Sequence, residues 1–476
     1  MARSLRIAFV HPDLGIGGAE RLVVDAAVSL QKRGHRVVIY TMHHDLSHCF
    51  AETRDGTLDV RVGGNWPIPR SIGGRFHILC TTLRSLMLAR QVTNDPEKYD
   101  ALFVDQLSAP IPLLKYTHAH IFFYCHFPDY LLARRDTLGQ RLYRAPFDLL
   151  EEFTTGEADE IVVNSRFTQE TFRKAFPHLS KIPKVLIPAL NFEAYDRPVD
   201  SSDPLLCALH TEKQIVLSIN RFERKKDIGL ALRSFALCLQ ENGPKRAVAS
   251  NCCLVVAGGW DPCVVENTQH LRELDAQAKQ LGLRTHTIAP WQASKEALAL
   301  LPDDAVGAPN ITDDGSTDQL ASVDVLFLPS FTENQRAHLL SAARCVVYTP
   351  TNEHLGIVPL EAMYMRVPVV AANSGGPRET IQHGQTGFLC EPTEDAFAVA
   401  ISKLLAMDDD KWRAMGDAGH DRVKLAFSLD TFGAKLEHLI FGMLQRPTSA
   451  SVVLGVLMTL FIFFAVTTAL LLTWWR

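Results

Sequence analysis

No two of the ten cysteines are spaced C-x-x-C; Cys252 and Cys253 adjoin, and the rest are scattered from Cys49 to Cys390. That excludes a zinc spacing or a disulfide framework and reads as small buried hydrophobes in a reducing compartment. Charge of one sign is also lacking. Lys and Arg number 48 against 53 Asp and Glu, a net charge of -5, and no basic stripe is interleaved with aromatics, so nothing points to a nucleic-acid partner. A secretory signal is missing too: the apolar run Ile7 to Val10 is broken by His11, Pro12 and Asp13, where about 7–15 apolar residues are needed. No internal repeat occurs. With 47% hydrophobic and 21% charged residues, the chain is neither disordered nor collagen-like.

What is present begins with the C-terminus. Val452 to Leu472 carries no charge, and roughly 20 such residues span a bilayer core. Trp474 and Trp475 follow it, and Arg446 and Arg476 flank it, as suits a membrane interface. A transmembrane helix is predicted over 452–473, with the body left in the cytosol. The sequon Asn310-Ile311-Thr312 then reads as a chance match.

The body alternates short apolar strands with helical stretches, the rhythm of open parallel sheets. Leu5 to Val10, Val37 to Tyr40, Ala101 to Val104, Ile121 to Tyr124 and Glu160 to Val163 form a first series, with a helix from Ala19 to Lys32. Gln214 to Ile219, Cys253 to Ala257, Thr285 to Ala289, Val325 to Leu328, Cys345 to Tyr348 and Val367 to Ala371 form a second. The 476 residues divide into an N-terminal Rossmann-like domain at 1–190 and a C-terminal one at 205–425, with a proline-rich boundary from Ile187 to Pro204. A helix at 426–446 returns toward the first domain. Asp303 to Asp318 reads as a long acidic surface loop, and its Asp303-Asp304 and Asp313-Asp314 pairs as solvated rather than metal-binding. No D-x-D cluster stands at a cleft position, so no metal is predicted. The helix Phe76 to Val92 could rest on a bilayer surface or pack as an ordinary core-facing helix.

Three stretches carry chemistry. Gly15-Ile16-Gly17-Gly18-Ala19-Glu20 follows the first strand and opens a helix; glycines let a backbone approach a ligand, and a helix start favours negative charge. Glu20 fills the sixth position of the dinucleotide fingerprint G-x-G-x-x-G, and no acidic residue ends the second strand, so a dehydrogenase reading is weak. Asn220 to Asp227 supplies Arg221, Arg224, Lys225 and Lys226 at a strand's carboxyl end, where cations suit a pyrophosphate. By charge alone, a solvated loop is an even alternative. Glu353 and Glu361 stand eight apart across a loop-to-helix junction, where carboxylates suit sugar and ribose hydroxyls. A capping acid with a solvated glutamate is the bland alternative.

Glu353-x7-Glu361, followed by Pro368-Val369-Val370-Ala371 and Asn373-Ser374-Gly375-Gly376-Pro377-Arg378-Glu379, resembles the signature of the retaining GT-B glycosyltransferase family. With Arg221, Lys226 and the Gly17-Gly18 loop, the likeness covers nearly the whole chain before the C-terminal apolar run. Tyr348 to Met365 and His11 to Val23 are similar to the members that add mannose to dolichol-linked oligosaccharides. Arg366 departs from the pattern: many members have glycine there, two residues before Pro368. The resemblance implies an α/β GT-B fold, two Rossmann-like domains facing a cleft, with the N-terminal one taking acceptor and the C-terminal one taking nucleotide sugar. It implies that Arg221 and Lys226 hold the donor diphosphate, Glu353 the donor sugar and Glu361 the ribose. Backbone amides at Gly356, Ile357 and Val358 would meet phosphate, beside the Gly17 and Gly18 loop, and His126 would face the donor sugar. The implied reaction moves mannose from GDP-mannose to a dolichol-diphosphate-linked Man-GlcNAc2 acceptor, with retention, through α-1,3 and then α-1,6 linkages. Neither cofactor nor metal is expected. The implied setting is the endoplasmic reticulum membrane, with the catalytic body cytosolic and the lipid bilayer and other glycosyltransferases of the pathway as partners. Rival readings are a UDP-N-acetylglucosamine transferase acting on phosphatidylinositol, and a non-catalytic nucleotide-sugar-binding protein.

Overall fold

A computed structural model describes residues 3–63, 68–133, 135–200, 203, 213–240, 251–290, 294–302, 305–306 and 323–448. The chain forms two compact units, one holding residues up to Ala189 together with the helix Leu429–Leu444, the other Leu190–Ser428.

The first unit is a seven-stranded parallel sheet. Its strands are β1 (Arg6–His11), β2 (Arg36–Thr41), β3 (Asp59–Val62), β4 (Ala101–Asp105), β5 (His120–Cys125), β6 (Glu160–Val163) and β7 (Lys184–Val185), in the order β3-β2-β1-β4-β5-β6-β7. The central strands read as apolar runs because both faces are covered. Ile7 and Phe9 pack on one side with Leu22, Ala26 and Leu30 of the helix Gly18–Lys32. Ala8 and Val10 pack on the other with Leu88, Ala89 and Val92 of the helix His77–Asn94. The apolar side of that second helix therefore faces the core, not a membrane. The helix Leu429–Leu444 lays Phe432, Leu436 and Ile440 into the first of these layers. Gly433 makes the close approach possible, since a Cβ there would stand 2.8 Å from Ser29 Cβ.

The second unit holds β8 (Gln214–Ile219), β9 (Cys252–Gly258), β10 (Thr285–Ile288), β11 (Ala305–Val306), β12 (Val325–Pro329), β13 (Ala343–Tyr348), β14 (Val369–Ala372) and β15 (Gly387–Cys390). All pair in parallel, in the order β11-β10-β12-β9-β8-β13-β14-β15. The stretch expected to be a plain linker carries a helical turn, Glu193–Asp196. Aromatic stacking explains it: Phe192 lies flat on Tyr364 at 4.3 Å, and the Tyr364 hydroxyl donates to Asp196 at 2.7 Å. Within the expected 303–318 loop, Ala305–Val306 is a strand paired with β10; the rest of that loop and the sequon lie outside the described residues. The 452–473 segment lies outside them as well. Among the described residues no helix is long and apolar enough to cross a membrane.

Each sheet reverses its strand order once near the middle. The first starts at β1, adds β2 and β3 on one side and continues with β4 on the other; the second starts at β8, with β9 on one side and β13 on the other. In open α/β sheets ligands sit beyond the carboxyl ends of strands at such switch points.

Candidate functional site

At the switch point of the second unit, the chain leaving β8 makes one 3-10 turn, Arg224–Lys226, and Asp227 then takes a left-handed conformation with φ 44°. That turn folds Lys226 back toward β13. Thr349, just past β13, donates its hydroxyl to the Lys226 carbonyl at 2.8 Å. The Lys226 ammonium is paired with the Glu353 carboxylate, both side chains largely shielded from water. Arg221 is not part of this pair: its side chain is 72% exposed, and Glu223 is its ionic neighbour at 3.8 Å.

The Glu353 loop is held by glycines that no other residue could replace without movement. Gly376 N–H donates to the Glu353 carbonyl at 2.8 Å. A Cβ on Gly375, at φ 61°, would stand 2.3 Å from that same oxygen, and one on Gly376 would stand 2.2 Å from the Leu355 carbonyl oxygen. Gly356, at φ 75°, starts the helix Ile357–Tyr364 and provides no side-chain cap. The first-turn N–H groups, including those of Ile357 and Val358, are thus without a side-chain acceptor at the N-cap, an arrangement suited to an anion.

Glu361 lies on the same helix and is 2% exposed. Its carboxylate accepts a bond from Arg336 at 2.9 Å, and the Tyr195 phenol lies against it. Burial raises its pKa above the usual carboxylate range, despite the guanidinium. Burial and the neighbouring Glu353 likewise push the Tyr348 phenol well above its ordinary value. Sequence reasoning named Glu361 but neither Arg336 nor Tyr195, which come from a different helix and from the stretch read as linker.

In the first unit, the glycine loop leads into the helix Gly18–Lys32, with Gly17 as an extended N-cap lacking a side-chain bond. A Cβ on Gly17 would stand 2.3 Å from a Glu20 carboxylate oxygen, while Gly18 faces open space. Three neighbouring strands, β1, β4 and β5, end at His11, Asp105 and, one residue past the strand, His126. Asp105 is 1% exposed; one oxygen bonds His11 Nδ1 at 2.8 Å, and the other lies 2.9 Å from His126 Nε2. His11 Nε2 in turn faces Glu20 at 3.9 Å. Burial works against a charge on His11, but Asp105 and Glu20 outweigh it and raise its pKa to about 9. Burial also opposes the Asp105 charge, and the two histidines still hold its pKa below the ordinary range. The His126 carbonyl accepts from Asn164 at 3.1 Å, which holds the backbone at this position. Of this chain of four, sequence reasoning gave a site role to His126 alone; His11 and Glu20 appeared only within the stretch around the glycine loop. The signal for Asp105 was a lone carboxylate at the end of an apolar strand, which gains meaning only once β4 is known to lie between β1 and β5.

Chemically, the second unit offers a lysine held by a carboxylate beside an uncapped helix start, which suits a phosphorylated, hydroxyl-rich ligand. The first unit offers two histidines flanking one buried carboxylate, with His11 hydrogen-bonded to it.

Comparison with known proteins agrees with this architecture. Residues 16–188 match the model of Glycosyltransferase Family 4, and residues 316–422 that of Glycosyl transferases group 1. The chain is 48% identical to the alpha-1,3/1,6-mannosyltransferase ALG2 of Rhizomucor pusillus, over 94% of this chain and 93% of that protein. It is 43% identical to the human protein of the same name, over 90% and 94% respectively. Among solved structures, sucrose-phosphate synthase from Thermosynechococcus elongatus superposes with a TM-score of 0.65 at 18% identity, covering 93% of this chain and 99% of that one. Anabaena HepE in complex with UDP and glucose gives 0.61 at 17%, covering 92% and 100%. At such identities the structural likeness concerns the fold alone.

Proposed function

The chain belongs to the ALG2 family of alpha-1,3/1,6-mannosyltransferases, and from that membership we propose that it transfers mannose from GDP-mannose to a dolichol-diphosphate-linked Man-GlcNAc2 acceptor. The configuration at the sugar carbon is retained, and an α-1,3 linkage is followed by an α-1,6 one. The observation that carries this reading is the Lys226–Glu353 pair at the switch point between β8 and β13.

Breaking the bond from sugar carbon to diphosphate builds negative charge on the departing oxygen. Preorganised cations and dipoles stabilise such charge with no reorganisation at the moment of reaction. Lys226, oriented by Glu353 and by the Thr349 bond to its carbonyl, supplies one cation. Arg221, exposed and unclamped, swings to supply the second. The N–H groups at Gly356, Ile357 and Val358 receive phosphate. Glu353 turns to the donor hydroxyls once the diphosphate takes over Lys226. Glu361, held by Arg336, binds ribose. His126 presents its imidazole, 2.9 Å from the Asp105 carboxylate, to the donor sugar. With side-chain cations in these roles, the reaction proceeds without a metal. The segment 452–473 anchors the protein in the endoplasmic reticulum membrane, with its body on the cytosolic side, beside the lipid-linked acceptor and the other transferases of the pathway.

The test is direct. Purified protein in detergent receives GDP-mannose and a lipid-diphosphate chitobiose bearing one mannose, in EDTA, and product mass is followed. A gain of one or two hexoses is expected, falling at least about 10²-fold in Lys226→Ala, the scale for losing one charge-stabilising group. No gain here, with transfer from UDP-N-acetylglucosamine to phosphatidylinositol instead, would overturn the donor and acceptor assignment.

A further inference from the structure

The helix Leu138–Gly156 begins with a capping box of Thr137 and Gln140 and turns Phe147, Leu150 and Thr154 into the first unit. Phe147 packs with Leu79, and Tyr143 meets Phe76 edge-on at 5.7 Å. The opposite face is apolar as well. Leu138, Leu142, Leu149 and Phe153 recur at helical spacing along one stripe and are 42–73% exposed. Leu131 and Leu132, also exposed, sit in the preceding turn Asp129–Leu132. Glu151 ties that turn to the helix by accepting the N–H groups of Asp129 and Tyr130 at 2.7 and 2.8 Å. A surface helix ordinarily sets polar residues opposite its core face. Single exposed leucines need no explanation, whereas a contiguous apolar stripe marks something it meets.

We propose that this stripe lies in the interface of a lipid bilayer, so that the first unit meets the membrane along a helix and not only through its C-terminal segment. The inference rests on reading 452–473 as membrane-embedded. Where the described chain ends identifies the occupant. The Arg446 side chain is paired with Glu160, and its carbonyl lies 2.8 Å from a ring nitrogen of His120, at the amino ends of β6 and β5. The helix Leu138–Gly156 finishes at that same end of the sheet: only Glu157, Ala158 and Asp159 separate it from β6, and Lys181 clasps the Gly156 and Ala158 carbonyls at 2.7 and 2.6 Å. From Arg446 to Val452 the chain reaches at most about 20 Å, which bounds how far from the amino ends of β5 and β6 the apolar run starts. From Phe153 to Leu138 the stripe extends about 22 Å further, at 1.5 Å per residue. The turn Asp129–Leu132, three residues beyond His126, lies alongside the stripe, held to the helix at Arg144 and Glu151. With the stripe at the surface, its apolar side buried about 5–10 Å as in other interfacial helices, the strands of the first unit run along the bilayer. Chain exit and strand carboxyl ends then both reach the headgroup layer, where the diphosphate of a lipid-linked acceptor lies.

The experiment uses the full chain, reconstituted in phosphatidylcholine vesicles. Among the described cysteines only Cys263 is exposed, so an environment-sensitive fluorophore is placed on Leu142→Cys or Leu149→Cys in a Cys263→Ser background. Val399→Cys, exposed in the second unit, and the unsubstituted background serve as controls. Lipids bearing a doxyl quencher near the headgroup should quench the probes at 142 and 149 at least about twofold, and leave the one at 399 unchanged, if the stripe lies in the interface. Alkaline carbonate extraction of the same vesicles reads the C-terminal anchor separately. Carbonate-resistant protein with unquenched probes at 142 and 149 overturns the stripe and leaves the anchor reading intact. Quenching with carbonate-extractable protein supports the stripe and overturns the anchor. A blue shift that grows with protein density but ignores the doxyl lipid means a second copy covers the stripe, and also overturns the inference.

Discussion

Replacing Asp105 by Asn removes the buried charge that His11 and His126 share, and its cost follows from the pKa of His11. That pKa is raised from 6.5 to about 9. At 1.36 kcal/mol per unit, this shift, which Asp105 and, after it, Glu20 produce against burial, is worth about 2 to 3 kcal/mol to folding at pH 7. The group is raised in the folded state, so this stability is fully present below about pH 6.5 and is lost as pH rises through about 9. An amide cannot support the imidazolium, so in Asp105→Asn the buried His11 gives up its proton. The variant should be less stable than the parent by about 2 to 3 kcal/mol at pH 6 to 7, and much closer to it at pH 10. For a unit of this size, about 2–4 °C per kcal/mol makes that a fall of roughly 5–10 °C in thermal midpoint at the lower pH. Thermal unfolding of both proteins in detergent at pH 6, 7 and 10 measures it. An equal penalty at all three pH values would refute the argument, because the loss would then come from packing and not from the charge on His11.

Three further outcomes are expected. Arg366 sits at φ 61° just after the helix Ile357–Tyr364, and its N–H closes that helix by donating to the Met363 carbonyl at 3.0 Å. Arg366→Gly should therefore stabilise the protein by about 1 kcal/mol in a urea titration, the exposed ion pair with Asp417 counting for little; a loss of stability would contradict this. Gly375→Ala drives a Cβ against the Glu353 carbonyl and should lower kcat at least about tenfold, measured in mannose transfer, while the second unit stays folded by circular dichroism. Arg336→Ala strands the buried Glu361 and should cost about 3–5 kcal/mol in the same titration, as expected when one partner of a buried pair is removed; a cost below about 1 kcal/mol would mean that Tyr195 alone satisfies the carboxylate.

The central strands of both sheets were legible because strands covered on both faces carry apolar runs, as residues 7–10 of β1, residues 121–125 of β5, β9 and β12 do. The edge strands were not. Asp59–Val62 alternates charged and apolar residues, Lys184–Val185 and Ala305–Val306 are two residues long, and Gly387–Cys390 opens on a glycine at φ 157°. Lys226 and Glu353 could be picked out by residue type and spacing, but not their ion pair. They are far apart in sequence, and only the crossover that places β13 beside β8 makes them neighbours. Asp105 stayed hidden for the same reason. The departure at Arg366 is the reverse case: the sequence flagged a missing glycine, and the backbone keeps the glycine-like conformation regardless.

The division of the chain also has a consequence in time. The second unit, Leu190–Ser428, is continuous, whereas the first is split, its helix Leu429–Leu444 made only after the whole second unit. At about 5–20 residues per second of synthesis, the interval is on the order of ten to fifty seconds. Throughout it, the nascent sheet β1 to β7 lacks Phe432, Leu436, Ile440 and Met443, and the side of the helix Gly18–Lys32 that receives them remains uncovered. The later unit can thus finish folding before the earlier one closes, and the half-built first unit carries that uncovered apolar face for the whole interval.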